Sequence, residues 1–255
     1  MSESIKDIKE SFKKVNSLDD SLFTKYEDDA RKGVQQLLKR KTREIKKCQQ
    51  EKKDFQKRLQ YEHRFWKNGV NYIAGIDEVG RGPLAGPVVT AAVILPHDFN
   101  LYEVNDSKQL SPHKRLELSK KIKENCIEYH IGIADNKLID DINIYEATKL
   151  AMKDAVLGLS NTPDQIIVDA MDIDVNIPQL KLIKGDAKSA SVSAASILAK
   201  VYRDNLMDEY AKQYPEYDFE HNAGYGTKKH LDALNKYGAT PIHRKSFKPV
   251  CDFLR

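Results

Sequence analysis

The chain has 255 residues, 40% of them hydrophobic and 31% charged, with 12 Gly, 9 Pro and 3 Cys. That balance suits one large domain, or one domain with an extension, and excludes a collagen, a disulfide scaffold and a wholly disordered chain. The net charge of +4 is unevenly held: residues 1–67 carry 19 Lys+Arg against 12 Asp+Glu (+7), and residues 68–255 carry 23 against 26 (−3). The longest uncharged apolar stretch, residues 83–96, has 14 residues, fewer than the roughly 20 that cross a bilayer. The N-terminal segment has no apolar core for a signal peptide, so a soluble, cytoplasmic protein is expected. Cys48, Cys126 and Cys251 form no CxxC pair, and the seven histidines show no i, i+4 pairing. Neither a disulfide framework nor a zinc site is expected.

In chain order, residues 2–15 read as a short helix, and Ser17 with Asp19 and Asp20 resembles a capping box opening another. Residues 31–67 hold 14 basic and 4 acidic side chains, a net of +10. Val34, Leu38, Ile45, Cys48, Phe55 and Leu59 recur there at spacings of three, four or seven, the period of an amphipathic helix, with Phe65 six residues further on. Gly69 is the expected stop. This basic region is either a solvated helical arm or an electrostatic grip on phosphate backbones.

From residue 71 the pattern changes. Residues 72–76 read as a buried strand ending in Asp77 and Glu78, and residues 88–95 as a second strand. A helix follows from Ser111 to about Asn125, with Pro112 at its first position, and then a strand at 128–134. Residues 143–159 are a helix, 165–168 a strand ending in Asp169, and 180–183 a strand followed at once by Gly185 and Asp186. Residues 189–214 form a long helix whose Ala/Ser-rich first half can pack closely on a sheet. The expectation is an α/β domain over 71–255, a mixed five-stranded sheet flanked by helices, preceded by a small all-helical region over 1–70.

Three strand ends therefore carry acids, and neighbouring strand ends converge on one edge. Carboxylates gathered there suit a divalent cation with hard oxygen ligands. Two such ions about 3.5–4 Å apart suit phosphodiester hydrolysis. Acid pairs elsewhere, such as Asp140 with Asp141, warn that spacing alone does not make a site. An acid directly after an apolar strand, however, is badly placed as a solvated surface charge. The Gly80-Arg81-Gly82 segment is not a dinucleotide loop, since its third glycine comes one residue late and a strand follows. It is either a tight turn or a place where backbone amides and a guanidinium approach a ligand.

The run Gly75-Ile-Asp-Glu-Val-Gly-Arg-Gly-Pro-Leu-Ala-Gly-Pro87 resembles the signature of the ribonuclease HII (type 2 ribonuclease H) family. Asp106-Ser-Lys108, Val168-Asp-Ala170, Lys184-Gly-Asp-Ala-Lys188, the helix from Ala194 to Asp204, Gly224-Tyr-Gly-Thr227 and His243-Arg-Lys-Ser-Phe247 follow in the family's order. The resemblance covers about residues 71–250, and residues 1–70 more loosely resemble the helical extension of some Gram-positive members. It implies a ribonuclease H-like fold and a four-carboxylate site falling on Asp77, Glu78, Asp169 and Asp186, the acids already singled out. An Asp as fourth acid and a helical extension both favour type HII over the sister type HIII. The family cuts 5′ to a ribonucleotide in RNA–DNA hybrids and at single ribonucleotides embedded in duplex DNA, leaving 3′-hydroxyl and 5′-phosphate ends. It implies Mn²⁺ or Mg²⁺, two per site.

Carried over by motif, Gly80, Arg81 and Gly82 would read the ribose 2′-hydroxyl, and Tyr225 would stack on the sugar of the next nucleotide, favouring deoxyribose at the RNA-to-DNA junction. Lys108, Lys184 and Lys188 would contact phosphate. Two other readings stay open: another metal nuclease of the same fold acting on all-DNA substrates, and a non-catalytic nucleic-acid binder using the basic helices. The chain ends without an aromatic tail for a sliding clamp, so a clamp partner is not supported, and a monomer is expected.

Overall fold

The computed structural model describes residues 3–254 and divides the chain into two compact units, residues 1–56 and 57–255. In the first, α1 (Ile5–Phe12) is capped by the Ser4 side chain, which accepts from the Asp7 amide. It is shorter than the 2–15 expected, and residue 2 lies outside the described residues. Ser17 does not open α2 (Ser21–Tyr26): its hydroxyl accepts from the Asp19 amide in a turn, and Asp20 caps the helix by accepting from Leu22. α3 (Lys32–Arg58) follows. Ile8, Phe12, Val15, Tyr26, Val34, Leu38 and Ile45 form the core of this unit. Cys48, placed on the apolar stripe by its spacing, is exposed, as are Lys39, Arg40, Arg43, Lys46 and Lys47 around it.

The second unit takes in the end of the basic segment. The run over 31–67 is two helices, because Leu59 leaves the helical ψ (ψ 0) before α4 (Gln60–Lys67) begins. α4 ends at Asn68, and Gly69, at φ +81, is the stop expected. Arg58 donates to the Val104 carbonyl at 2.7 Å. Glu62 is wholly buried; its Oε1 accepts from the Ser189 hydroxyl and from the amide and hydroxyl of Ser191.

The sheet contains β1 (Ile73–Val79), β2 (Val88–Ile94), β3 (Glu128–Ala134), β4 (Gln165–Asp169) and β5 (Gln179–Leu182) in the order β3-β2-β1-β4-β5. β1, β2 and β3 pair antiparallel, and β4 and β5 join parallel to β1. This is the mixed five-stranded sheet expected. Between and around the strands lie α5 (Pro112–Asn125), α6 (Asn136–Ile142), α7 (Ile144–Leu157), α8 (Gly185–Lys188) and α9 (Ala190–Gln213), followed by α10 (Phe219–Asn222) and α11 (Lys228–Tyr237). The helix expected from 143 is preceded by α6. Asn143, at φ +73, separates the two and caps α7 by accepting from Tyr145 and Glu146.

The two faces of the sheet are covered by different helices. Ala74, Ile76, Ala92 and Ile94 pack on Met152, Ala155 and Val156 of α7. Ile73 and Ile167 pack on Val192 of α9, and α9 comes so close that a Cβ on Gly75 would lie 2.2 Å from the Ser191 backbone. The small Ala and Ser residues at the start of α9, buried from Ala190 to Ala199, permit that approach.

Candidate metal and nucleic-acid site

β1 does not end before its acids. Asp77 pairs with Ala91 and Glu78 with Thr90, so both sit within the ladder. Backbone pairing with β2 is indifferent to side-chain polarity, which is why the strand outlasts its apolar run. Successive strand residues point to opposite faces. Asp77 therefore faces α9, where Ser196 hydrogen-bonds its carboxylate, and Glu78 faces the other way, beside Arg81 at 3.6 Å. Asp169 is the last residue of β4, and the Gly75–Ile167 register, carried two residues on, sets it on the same face as Asp77. Asp186 is not at a strand end either: it is the second residue of α8, entered through Lys184 at φ +60. Gly185 lies against Asp169, with its Cβ position 3.4 Å from the Asp169 Cα.

Asp77 and Asp186 are 6% and 7% exposed. Burial, with the Glu78 and Asp186 charges adding to it, pushes the Asp77 carboxyl well above the usual carboxylate range, against the Ser196 hydrogen bond. Glu78 is raised by burial and by Asp169, against the Arg81 guanidinium. Asp186 is raised by burial and then by Asp106, against Lys108. Lys108, whose Nζ lies 3.8 Å from Asp186 Oδ2, is held above its ordinary value: burial opposes this, but the charges of Asp186, Asp77, Asp106 and Glu78 prevail. Glu78 Oε2 is buried without a partner. Among the described residues, the ligand atoms that approach within 4.8 Å of one another as a set belong to Asp218, Glu220 and His221 on the surface, where Asp218 is already paired with Lys229 at 2.6 Å.

Beside the acids, residues 80–87 form a loop held from within. Gly80, at φ +91, has its Cα against Arg203, and a Cβ there would lie 2.1 Å from Arg203 Nε. Arg203 and Arg244 are wholly buried. Arg203 donates to the carbonyls of Ala85, Pro87 and Ala223, and Arg244 to those of Gly80, Arg81 and Gly86. In a trans peptide the carbonyl and the following N–H point in opposite directions. Drawing the Gly80 and Arg81 carbonyls inward therefore aims the Arg81 and Gly82 amides outward, at two exposed residues. Tyr225, half exposed, stands next to Gly82, whose Cβ position is 3.4 Å from the Tyr225 ring. The two loops are joined by the Leu84 amide donating to the Gly224 carbonyl at 2.8 Å.

The structure thus gathers Asp77, Glu78, Asp169, Asp186 and Lys108 into one cluster and Gly80, Arg81, Gly82 and Tyr225 into its neighbour. Lys184, just before α8, and Lys188, at its end, flank Asp186 with exposed side chains. The sequence reading missed Asp106, Ser196, Arg203 and Arg244. All four lie inside or beside motifs it quoted, but their polar groups act through the fold rather than through local spacing.

The family model described as ribonuclease HII matches residues 74–250, and that of the ribonuclease HII N-terminal domain matches residues 4–66. The chain belongs to the ribonuclease HII family. Ribonuclease HII of Ligilactobacillus salivarius is 64% identical over 222 residues, 87% of each chain, and that of Enterococcus faecalis 53% identical over 252 residues, 99% of each. Among solved structures, ribonuclease H2 from Pyrococcus horikoshii is similar with a TM-score of 0.62 at 28% identity, covering 71% of this chain and 96% of that one. The PCNA:RNase HII complex from Archaeoglobus fulgidus gives a TM-score of 0.61 at 26% identity, covering 72% and 96%. These relations make the chain a type 2 ribonuclease H with the ribonuclease H-like fold. The reading as a binding protein without catalysis is set aside. Among the described residues no helix is long and apolar enough to cross a membrane.

Proposed function

We propose that this ribonuclease HII hydrolyses the phosphodiester 5′ to a ribonucleotide, in RNA–DNA hybrids and at single ribonucleotides embedded in duplex DNA. The observation that carries the reading is the adjacency of the acid cluster to the outward-facing amides of Arg81 and Gly82. One group can hold metal at a phosphate while the other meets the 2′-hydroxyl, the feature that separates RNA from DNA.

The acids fit a divalent ion. Their donors are hard oxygens, Glu78 Oε2 is buried without a partner, and the nearest cations, Arg81 and Lys108, stand off at 3.6 and 3.8 Å. Asp77, Glu78, Asp169 and Asp186 would hold Mn²⁺ or Mg²⁺, two ions in this reading. A solved ribonuclease HIII in complex with Mn²⁺ shares the fold. When bound, the metal acidifies water and screens the phosphate's charge. The chain's own residues orient the rest. Arg81 and Gly82 grip the ribose, Tyr225 lies under the following sugar, and Lys108, Lys184 and Lys188 lie along the phosphates.

A cut 5′ to the ribonucleotide breaks the bond from phosphorus to the O3′ of the preceding nucleotide. That oxygen leaves as the 3′-hydroxyl, and the ribonucleotide keeps a 5′-phosphate. The ribonucleotide's own 2′-hydroxyl is adjacent to its 3′-phosphate, not to the scissile one, and in a hybrid attack by the preceding 2′-hydroxyl would expel O5′ rather than O3′, so the nucleophile for this cut is water. Single-turnover cleavage in H₂¹⁸O is expected to place one ¹⁸O in the 5′-phosphate. A 2′,3′-cyclic phosphate product would overturn the reading.

The exposed cations of α3 serve as the phosphate grip in this proposal. Neutralising Lys39, Arg43, Lys46 and Lys47 together with Gln is expected to weaken substrate binding and flatten its salt dependence, by up to roughly 0.9 in the log–log slope for each phosphate left without its cation. Binding measured across a salt series checks this. An unchanged slope would leave α3 a structural role only.

A further inference from the structure

The seven histidines gave no metal pattern in sequence, yet two of them meet in the core. His230 and His243 are wholly buried, and their Nε2 atoms lie 2.9 Å apart. We propose that this pair is a positioning device for Tyr225, fixing its loop and so setting the enzyme's preference for a deoxyribose on the 3′ side of the ribonucleotide. The inference rests on the reading of Tyr225 given above.

The proton positions follow from the two ends of the chain of bonds. Two groups of Thr240 meet His243 Nδ1: the hydroxyl at 2.7 Å, which can donate or accept, and the amide at 2.9 Å, which can only donate and so decides the matter. That nitrogen therefore accepts, and a neutral His243 carries its proton on Nε2. At the other end the Tyr225 carbonyl can only accept, and it lies 2.9 Å from His230 Nδ1. That nitrogen therefore carries the proton of a neutral His230, and His230 Nε2 is bare. Each end independently fixes its own ring, and together they leave one proton for the Nε2–Nε2 contact. The relay Thr240 to His243 to His230 to Tyr225 is complete and runs in one direction. Burial holds both rings below the ordinary histidine range, His243 at about 3 with His230 adding to the effect, so both are neutral at working pH. The rings are walled in by Tyr217 and Phe219.

The relay ends on the segment that most needs fixing. Ala223 and Gly224 are in the left-handed region, at φ +48 and +84, and Gly226 follows. Tyr225 itself is half exposed, so its ring cannot be fixed by burial. Its carbonyl takes hydrogen bonds from both the Thr227 amide and His230. The same peptide strand that supplies His243 also braces the reader loop, through the Ala85–His243 bridge and the Arg244 amide on the Leu84 carbonyl. Tyr225 and Gly82 are thereby referred to one rigid frame.

Two measurements test this. Long-range ¹⁵N NMR of the native protein is expected to give His243 as the Nε2–H tautomer and His230 as the Nδ1–H tautomer. Either ring in the opposite tautomer, or charged at pH 7, overturns the relay. The second measurement is the ratio of cleavage rates for a ribonucleotide followed by deoxyribose and one followed by ribose. His230→Leu removes the donor to Tyr225 and is expected to cut that ratio by about tenfold, the worth of one neutral hydrogen bond. His230→Asn, whose amide can stand where Nδ1–H stood, is expected to retain most of it. A variant that is only less stable would lower both rates together. Tyr225→Ala is the control. If it collapses the ratio and His230→Leu does not, the relay inference fails and the reading of Tyr225 stands. If Tyr225→Ala leaves the ratio unchanged, the reading of Tyr225 fails and the inference with it.

Discussion

Asp77→Asn is expected to reduce turnover by at least about a thousandfold while making the metal-free protein more stable. The two effects have one cause. Asp77 is buried among Glu78 and Asp186, and these surroundings favour its neutral form. A carboxylate whose folded pKa is raised stabilises the fold below its unfolded pKa, near 4, and loses that contribution as pH rises through the folded value. At neutral pH without metal, the acid cluster is therefore a source of strain. Asparagine keeps the shape and one acceptor but removes a charge. Thermal unfolding of both proteins in chelator, from pH 4 to 8, is expected to show midpoints that diverge as pH rises, with the variant higher. Asp29, Glu117 and Glu128, each held at about 2, have the opposite dependence. They are unchanged between the two proteins and cancel in the comparison. A variant with near-normal turnover would remove Asp77 from the site.

Arg244→Met is expected to cost about 3 kcal/mol of stability and to reduce cleavage at an embedded ribonucleotide by at least about a hundredfold. Methionine fills part of the volume but leaves the carbonyls of Gly80, Arg81 and Gly86 buried without donors. Burial and the nearby Arg203 already hold the Arg244 guanidinium down at about 9. Its retention at that cost argues for a positional role. Freed carbonyls would let the 80–82 peptides rotate, and the amides of Arg81 and Gly82 would rotate with them. Denaturant unfolding reads the first effect. The second is expected mainly in the ribonucleotide-dependent rate, and a variant with unaltered cleavage would show that the loop keeps its shape without the guanidinium.

The sheet, and the gathering of the four candidate acids at one edge of it, were legible from local signals: apolar runs of strand length with carboxylates at or shortly after their ends. What was not legible depended on contacts across the chain. The ladder with β2 carries β1 on through Asp77 and Glu78, and nothing in residues 77–79 alone announces it. α8 and the division of α6 from α7 turn on Lys184 and Asn143 at positive φ, a conformation that side-chain type encodes only weakly for Asn and not at all for Lys. The 31–67 helix reads as continuous because its apolar period runs through Leu59, yet Glu62 beyond the break is claimed by the hydroxyls at the start of α9. Arg203, Arg244, His230 and His243 looked like ordinary polar residues. They became site residues only when the fold closed loops at 80–87, 223–227 and 240–244 around them.

Cleavage of a labelled DNA duplex containing one ribonucleotide, in Mn²⁺, beside the same duplex made wholly of DNA, tests the central claim most directly. The expected result is a single cut on the 5′ side of the ribonucleotide, leaving 3′-hydroxyl and 5′-phosphate ends, with the all-DNA duplex intact. Cutting of both duplexes would contradict the assignment of Gly80, Arg81 and Gly82 as the 2′-hydroxyl reader. An intact ribonucleotide duplex beside a degraded long hybrid would contradict the proposed substrate.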